Sequence, residues 1–189
     1  MIKFKVSQLA NKYLTGLYGI EIGAAAHNPF NLNAINIDYA HDNGYKQDEI
    51  KMCGEYRKVD LISYGDDLPF KDSTLDFVLT SHVFEHFWDP IKTLKEWNRV
   101  IKSGGYIFMI VPHLNRTNDR RSRTTYKELV DRHNGLIPPP LWNSGAHYSF
   151  WITEDVIELC TKLGYNVIDS QDVDDKVGNG FTIVIQVQK

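Results

Sequence analysis

The stretch Leu75–Pro112, LDFVLTSHVFEHFWDPIKTLKEWNRVIKSGGYIFMIVP, decides the fold. Leu75-Asp76-Phe77-Val78-Leu79 is short and mostly apolar, as expected of a strand buried on both faces. Asp89 can cap a helix, and Pro90 suits its first turn, where no backbone donor is needed. Ile91, Leu94, Trp97 and Ile101 then recur at helical spacing. Gly104-Gly105 is expected to stop that helix, because glycine takes the left-handed C-terminal conformation without strain. Tyr106–Val111 reads as a second buried strand, ended by Pro112. Parallel strands joined by a helix make a right-handed crossover. Ligands of such sheets bind beyond the carboxyl ends of the strands. Here those ends carry Ser81-His82-Val83-Phe84-Glu85-His86 and Pro112-His113.

Outward from this unit the pattern repeats. A short helix is expected over Val6–Leu14, strands over Gly19–Gly23, Ala34–Asp38 and Val59–Ser63, and a helix between Asp48 and Tyr56. Thr153 can cap a helix that runs through Val156, Leu159, Cys160 and Leu163 to Gly164. Asn166–Asp169 and Phe181–Val187 are the sixth and seventh strands, and their connection is too short for a helical crossover, so they should pair antiparallel. The order gives an α/β sheet, mostly parallel, with one reversed strand near its end. Only residues 24–33 separate the first two strands, against the roughly dozen residues or more of a helical crossover. Asn28-Pro29 disfavours helix at residue 28, so one turn or an extended loop is expected there.

The 189 residues suit one domain, 1–189. Residues 114–149 break the alternation, and hold Pro138-Pro139-Pro140 and several asparagines. A long connection leaving the ligand-binding edge reads as a lid or acceptor-binding insertion. The net charge of −3 argues against a nucleic-acid partner. No stretch has the length of a membrane span or a signal peptide, and Cys53 and Cys160 read as reduced thiols, so a cytoplasmic location is expected.

The loop after the first strand, Gly23-Ala24-Ala25-Ala26-His27-Asn28-Pro29-Phe30, has small residues that let a ligand approach the backbone. Asp38, at the end of the second strand with Tyr39 beside it, is placed to accept hydrogen bonds from two ribose hydroxyls. Gly65-Asp66-Asp67-Leu68 follows the third strand and could border a purine, and Ser81-His82 follows the fourth. Together these loops describe an adenosine site.

Glu21-Ile22-Gly23, Asn36-Ile37-Asp38, Asp67-Leu68-Pro69-Phe70, Ser73-Thr74-Leu75-Asp76-Phe77-Val78, Glu85-His86 and Lys102-Ser103-Gly104-Gly105 occur in order and at spacings that resemble the class I S-adenosylmethionine-dependent methyltransferases, type 11. The resemblance covers Tyr18–Pro112 and, more faintly, His147–Val187. It implies a three-layer, Rossmann-like, seven-stranded sheet with S-adenosyl-L-methionine lying across strands one, two and four. By the same resemblance Glu21 and Gly23 shape the methionine pocket, Asp38 holds the ribose and Asp66–Leu68 flank the adenine, with Ala24, Ala25, Tyr39, Gly65, Ser81 and His82 also expected at the cofactor. Ala25 stands where relatives often have a second glycine.

His113, His147 and His86 are the candidates for proton removal from an acceptor, since histidine titrates near neutral pH. His82-Val83-Phe84-Glu85-His86 matches the H-x-x-E-H spacing of a zinc-binding helix, but it follows a strand directly and is interrupted by Asp89-Pro90, so no metal is expected. Arg116, Arg120, Arg121, Arg123, Lys127 and Arg132 outnumber the acids between residues 113 and 135, which is either a solvated face or a site for an anionic acceptor. Trp142, Trp151, Tyr126 and Tyr148 could stack on a sugar or ring. Methyl transfer to a small-molecule, glycan-like or polymer-borne acceptor is the expected function. A binding module that kept the sheet and lost transfer is the alternative. A nicotinamide enzyme is disfavoured, because the first loop lacks the G-x-G-x-x-G that receives a diphosphate.

Overall fold

The computed structural model of the chain describes residues 1–189 apart from Asn43 and Ser144. One seven-stranded sheet runs in the order β3-β2-β1-β4-β5-β7-β6. Its strands are β1 Gly19–Ile22, β2 Ala34–Asp38, β3 Leu61–Ile62, β4 Leu75–Ser81, β5 Ile101–Pro112, β6 Asn166–Gln171 and β7 Gly180–Gln186. All neighbours pair parallel except those of β7, which is antiparallel to both β5 and β6. The chain winds outward from β1 in one direction and from β4 in the other. The crevice between them is the topological switch point, where such sheets bind ligands.

Side-chain alternation builds the two faces. Ile107, Met109 and Val111 of β5 and Ile183 and Ile185 of β7 face helices α3 (Pro90–Val100), α4 (Tyr126–His133) and α5 (Thr153–Lys162), meeting Leu94, Trp97, Leu129, Val156 and Leu159. Phe108, Ile110 and Val184 face α1 (Gln8–Leu14) with Leu9, Ala10 and Leu14. This is a three-layer α/β/α architecture. Cys53 and Cys160 are buried and unpaired. Among the described residues no helix is long and apolar enough to cross a membrane.

Several boundaries differ from the sequence expectation. Helix α3 is capped by Asp89, whose carboxylate accepts from Lys92 N–H (2.9 Å), but it ends at Val100 and not at Gly104. Ile101 fits the helical spacing, yet it is extended and pairs with Leu75 as the start of β5. Gly104, at φ +86°, takes up the extra residues of a bulge between the pairs Leu75–Ile101 and Phe77–Tyr106. Helix α5 is closed by Asp155, whose carboxylate accepts from Ile152 N–H (2.9 Å), while Thr153 is its first residue. The third strand keeps only two residues of the expected Val59–Ser63.

The connection between β1 and β2 holds no helix. Buried Glu49, on helix α2 (Tyr45–Cys53), takes over part of the bracing. Its Oε2 accepts from Ala26 N–H (2.8 Å) in that connection and from Arg57 N–H (2.8 Å) beyond α2, and its Oε1 from Lys46 Nζ (3.0 Å). Glu49→Ala leaves two backbone donors and a buried ammonium without this acceptor. It should lower the unfolding free energy by about 3 kcal/mol in urea titrations, the scale of a broken buried ion pair. A change within ordinary surface scatter would refute the bracing role.

Candidate active site

A cavity of about 1130 Å³ opens at the carboxyl ends of β1, β2 and β4. It exceeds the usual few hundred to roughly 1,000 Å³ of a single small-molecule site.

The first wall is the β1 loop. Gly23 has φ +71°, and a Cβ there would lie 2.7 Å from Val83 Cγ2, so glycine is required on both counts. Its N–H is bonded to Ile37 O (2.8 Å). Ala24 N–H donates to the buried side chain of Asn36 (3.2 Å), which in turn donates to Lys58 O (2.7 Å). Asn28 donates to Ser81 Oγ (3.1 Å), and its own Oδ1 is buried at the cavity with no partner. Glu21, Ala24 and Ala25 line the same wall. Burial pushes the Glu21 carboxyl up to about 7, against the pull of Arg57 and Lys176.

Asp38 is nearly buried yet lines the cavity. Its Oδ1 accepts from Tyr39 N–H (2.8 Å), and its Oδ2 lies 3.9 Å from Lys46 Nζ. Tyr39 also lines the cavity and packs edge-on against Trp142 at 5.2 Å. Of the residues expected at the third strand, Gly65 and Asp66 line the cavity and Asp67 and Leu68 do not. Leu68 is in the core, with its N–H on Glu96 (2.7 Å), because the turn after Asp66 points it inward. Ser63 and Tyr64 take the place given to that pair. The Gly65 carbonyl is fixed by Trp97 Nε1 (2.7 Å), so α3 holds this loop directly.

Beyond β4, Ser81, His82 and His86 line the cavity. His82 has φ +56°, and its Nε2 is buried without a partner. Burial lowers its tendency to protonate. The segment 84–86 is a single 3-10 turn and not the α-helix that H-x-x-E-H requires. Glu85 is 1% exposed, and neither carboxylate oxygen has a hydrogen-bond donor. Its backbone carbonyl accepts from Tyr148 N–H (2.8 Å) and Ser149 N–H (3.3 Å), which ties the far end of the long connection to β4. His147 is thereby brought beside His86, ring centroids 4.8 Å apart.

His113 does not reach the cavity lining. Its Nδ1 accepts from Asn115 N–H (3.1 Å), its Nε2 is 3.7 Å from Asp172, and its ring packs edge-on to Phe181. The basic residues of 116–132 are also absent from the lining. Arg116 pairs with Asp172, Arg123 with Asp155, Lys127 with Asp131, and Arg132 with Glu128, while Arg121 lies over Phe150. The long connection instead presents Pro139, Pro140, Trp142 and Tyr148 to the cavity, facing Trp88. Asn28, Tyr64, Lys46, Trp88 and Asn179 also line it and were not singled out by sequence. Polar and aromatic residues scattered over α2 and the loops carry no periodic signal of their own.

The chain matches the family model described as "Methyltransferase domain", type 11, over residues 15–109, half of its length. It is 27% identical over 188 residues to an uncharacterized protein of Methanocaldococcus jannaschii, spanning 90% of this chain and 82% of that one. It is 50% identical over 40 residues to an uncharacterized methyltransferase of Schizosaccharomyces pombe, covering 21% of this chain and 14% of that one. The crystal structure of a SAM dependent methyltransferase from Aquifex aeolicus superposes with a TM-score of 0.57 at 18% identity, over 95% of this chain and 87% of that one. That likeness is one of fold.

The Glu21 carboxyl generates a pH prediction. Its folded value of about 7 lies above the ordinary 4.5, so the folded state holds the extra proton between those values. Its contribution to stability is full below pH 4.5 and is lost as pH rises through 7. Glu21→Gln, neutral throughout, should therefore gain stability relative to wild type between pH 5 and 7.5, to be read from paired urea melts at about half-unit pH steps. A difference that stays constant with pH would show that Glu21 ionises normally in the folded chain.

Proposed function

The chain belongs to the type 11 methyltransferase domain family, whose cofactor is S-adenosyl-L-methionine, and from that premise we propose that it transfers a methyl group to a small acceptor held beneath residues 139–148. One observation carries the reading: Gly23, Asp38, Gly65 and Ser81, at or just beyond the ends of four separate strands, meet in a single cavity at the switch point. The residues present suit the cofactor. Gly23 presents bare backbone to the cavity, and the buried Asn28 Oδ1 offers an acceptor at the same wall.

When bound, S-adenosylmethionine supplies a methyl group on a sulfonium, which is already electrophilic. In this reading Asp38 accepts the ribose hydroxyls, with Tyr39 beside it. Glu21, Gly23, Ala24 and Ala25 enclose the methionine portion. Gly65 and Asp66 border the adenine, with Tyr64 replacing Asp67 and Leu68 of the sequence expectation. Ser81 and His82 form the floor. The protein's main task is to hold the acceptor nucleophile in line and exclude water. Trp88, Trp142, Tyr148, Pro139 and Pro140 favour an acceptor with a planar or apolar body. Arg116, Arg123 and Arg132 are engaged in ion pairs, and none of the arginines of 116–132 lines the cavity to select an anionic one. Of the three candidate histidines only His86 lines the cavity, at the end where an acceptor's proton would leave, and His113 takes no part.

The helix-free first connection favours one rival, a module that binds the cofactor without transferring its methyl group. Calorimetry with S-adenosylhomocysteine, followed by an acceptor screen with labelled methyl donor, separates the two. Asp38→Ala should weaken binding of the demethylated product by at least about 1 kcal/mol, roughly fivefold, the scale of hydrogen bonds to a charged group. Wild-type affinity in that variant would remove the ribose assignment. Tight binding with no label transferred to any acceptor would favour the module.

A further inference from the structure

We propose that Glu85, His86 and His147 form a binding site for one divalent transition-metal ion of the zinc class. One donor atom from each residue lies within 4.8 Å of the others. Glu85 Oε1 is 3.6 Å from His86 Nε2 and 3.9 Å from His147 Nε2. A tetrahedral ion with bonds of about 2.1 Å spaces its donors about 3.4 Å apart, so small side-chain rotations close the site.

Three independent features point to a cation. First, Glu85 is a carboxyl group at 1% exposure with no donor on either oxygen. An ionised carboxylate in that position is strongly disfavoured unless a positive charge meets it. Second, both histidines have their other ring nitrogen engaged. His86 Nδ1 is 3.0 Å from Ala146 O, and His147 Nδ1 is 3.1 Å from Asp119 Oδ2. A protonated Nδ1 leaves the lone pair on Nε2, the atom that faces Glu85. Carboxylate–histidine–metal arrangements orient their ligands in this manner. Third, the backbone brings the donors together by direct bonds, Tyr148 N–H and Ser149 N–H both ending on the Glu85 carbonyl.

Of the H-x-x-E-H pattern, Glu85 and His86 are the ligands and His82 is not. The third ligand is His147, from the far end of the long connection, and this departs from the expectation of no metal. Two His and one carboxylate suit zinc and its neighbours better than magnesium or calcium, which prefer all-oxygen shells. His86 also lines the cavity, so the ion borders the end where an acceptor would sit. An open coordination position there would take water or an acceptor oxygen and lower its pKa.

The test uses the full chain, stripped with chelator and dialysed, with no cofactor present. Co2+ is titrated while its visible absorption is followed, and Zn2+ affinity is measured by competition with a chromophoric chelator. We expect one Co2+ per chain with the intense bands of four- or five-coordination, displaced by Zn2+. Glu85→Gln and His147→Ala should each weaken Zn2+ by about 100-fold or more, and Asp119→Asn by about 10-fold or more. His41→Ala, an exposed histidine elsewhere, should bind as wild type. Absence of stoichiometric binding overturns the site, as does unchanged affinity in His147→Ala and Asp119→Asn. If Glu85→Gln does not fold, Asp119→Asn on the half-buried loop still decides. Methyl transfer enters none of these readouts, so the metal site and the transferase reading fail or stand separately.

Discussion

The site rests on a buried carboxylate that never touches the cavity. Glu49 gathers two backbone donors and the Lys46 ammonium, and one of those donors lies in the β1–β2 connection. A helix in that position would bond its own backbone. A loop cannot, and its buried amides need acceptors from elsewhere. The same Lys46 lies near Asp38, so the clamp that braces the loop also sets the charge around the proposed ribose acid. Loss of the helix is thus offset by a side-chain network.

The sheet imposes the second constraint. With helices on both faces, its central strands must be apolar on both sides, so polar groups concentrate where the strands end. Glu21, Asp38, Ser81 and His82 all sit at or near those ends on one edge. At the switch point small residues leave room for a cavity among them. Trp97 links the two tasks of α3, filling the core and holding the Gly65 carbonyl in place.

The α/β order was legible because period and punctuation agreed along most of the chain. The reversed β7 followed from a connection too short to cross over. The end of α3 was misread because Ile101 satisfies the helical spacing and the strand's apolar run equally, and only its pairing with Leu75 decides. Gly23 and Asp38 could be found from the loop that follows each strand. Leu68 could not be separated from Asp66, since a turn of two residues decides which faces the cavity. Glu49 and Asn36 look in sequence like ordinary polar residues, because their partners are distant backbone groups. The Glu85–His86–His147 cluster was out of reach for the same reason: its third member arrives through the tertiary fold alone.

At His82 two demands on one residue oppose each other. Its φ of +56° is a conformation that costs an L-residue about 1 kcal/mol or more and costs glycine almost nothing. Glycine would relax the backbone and remove an imidazole that lines the cavity beside Ser81. A search for sturdier variants would therefore converge on glycine here, at the cost of the ring that lines the cavity. The position sets backbone ease against the side chain that the cavity receives.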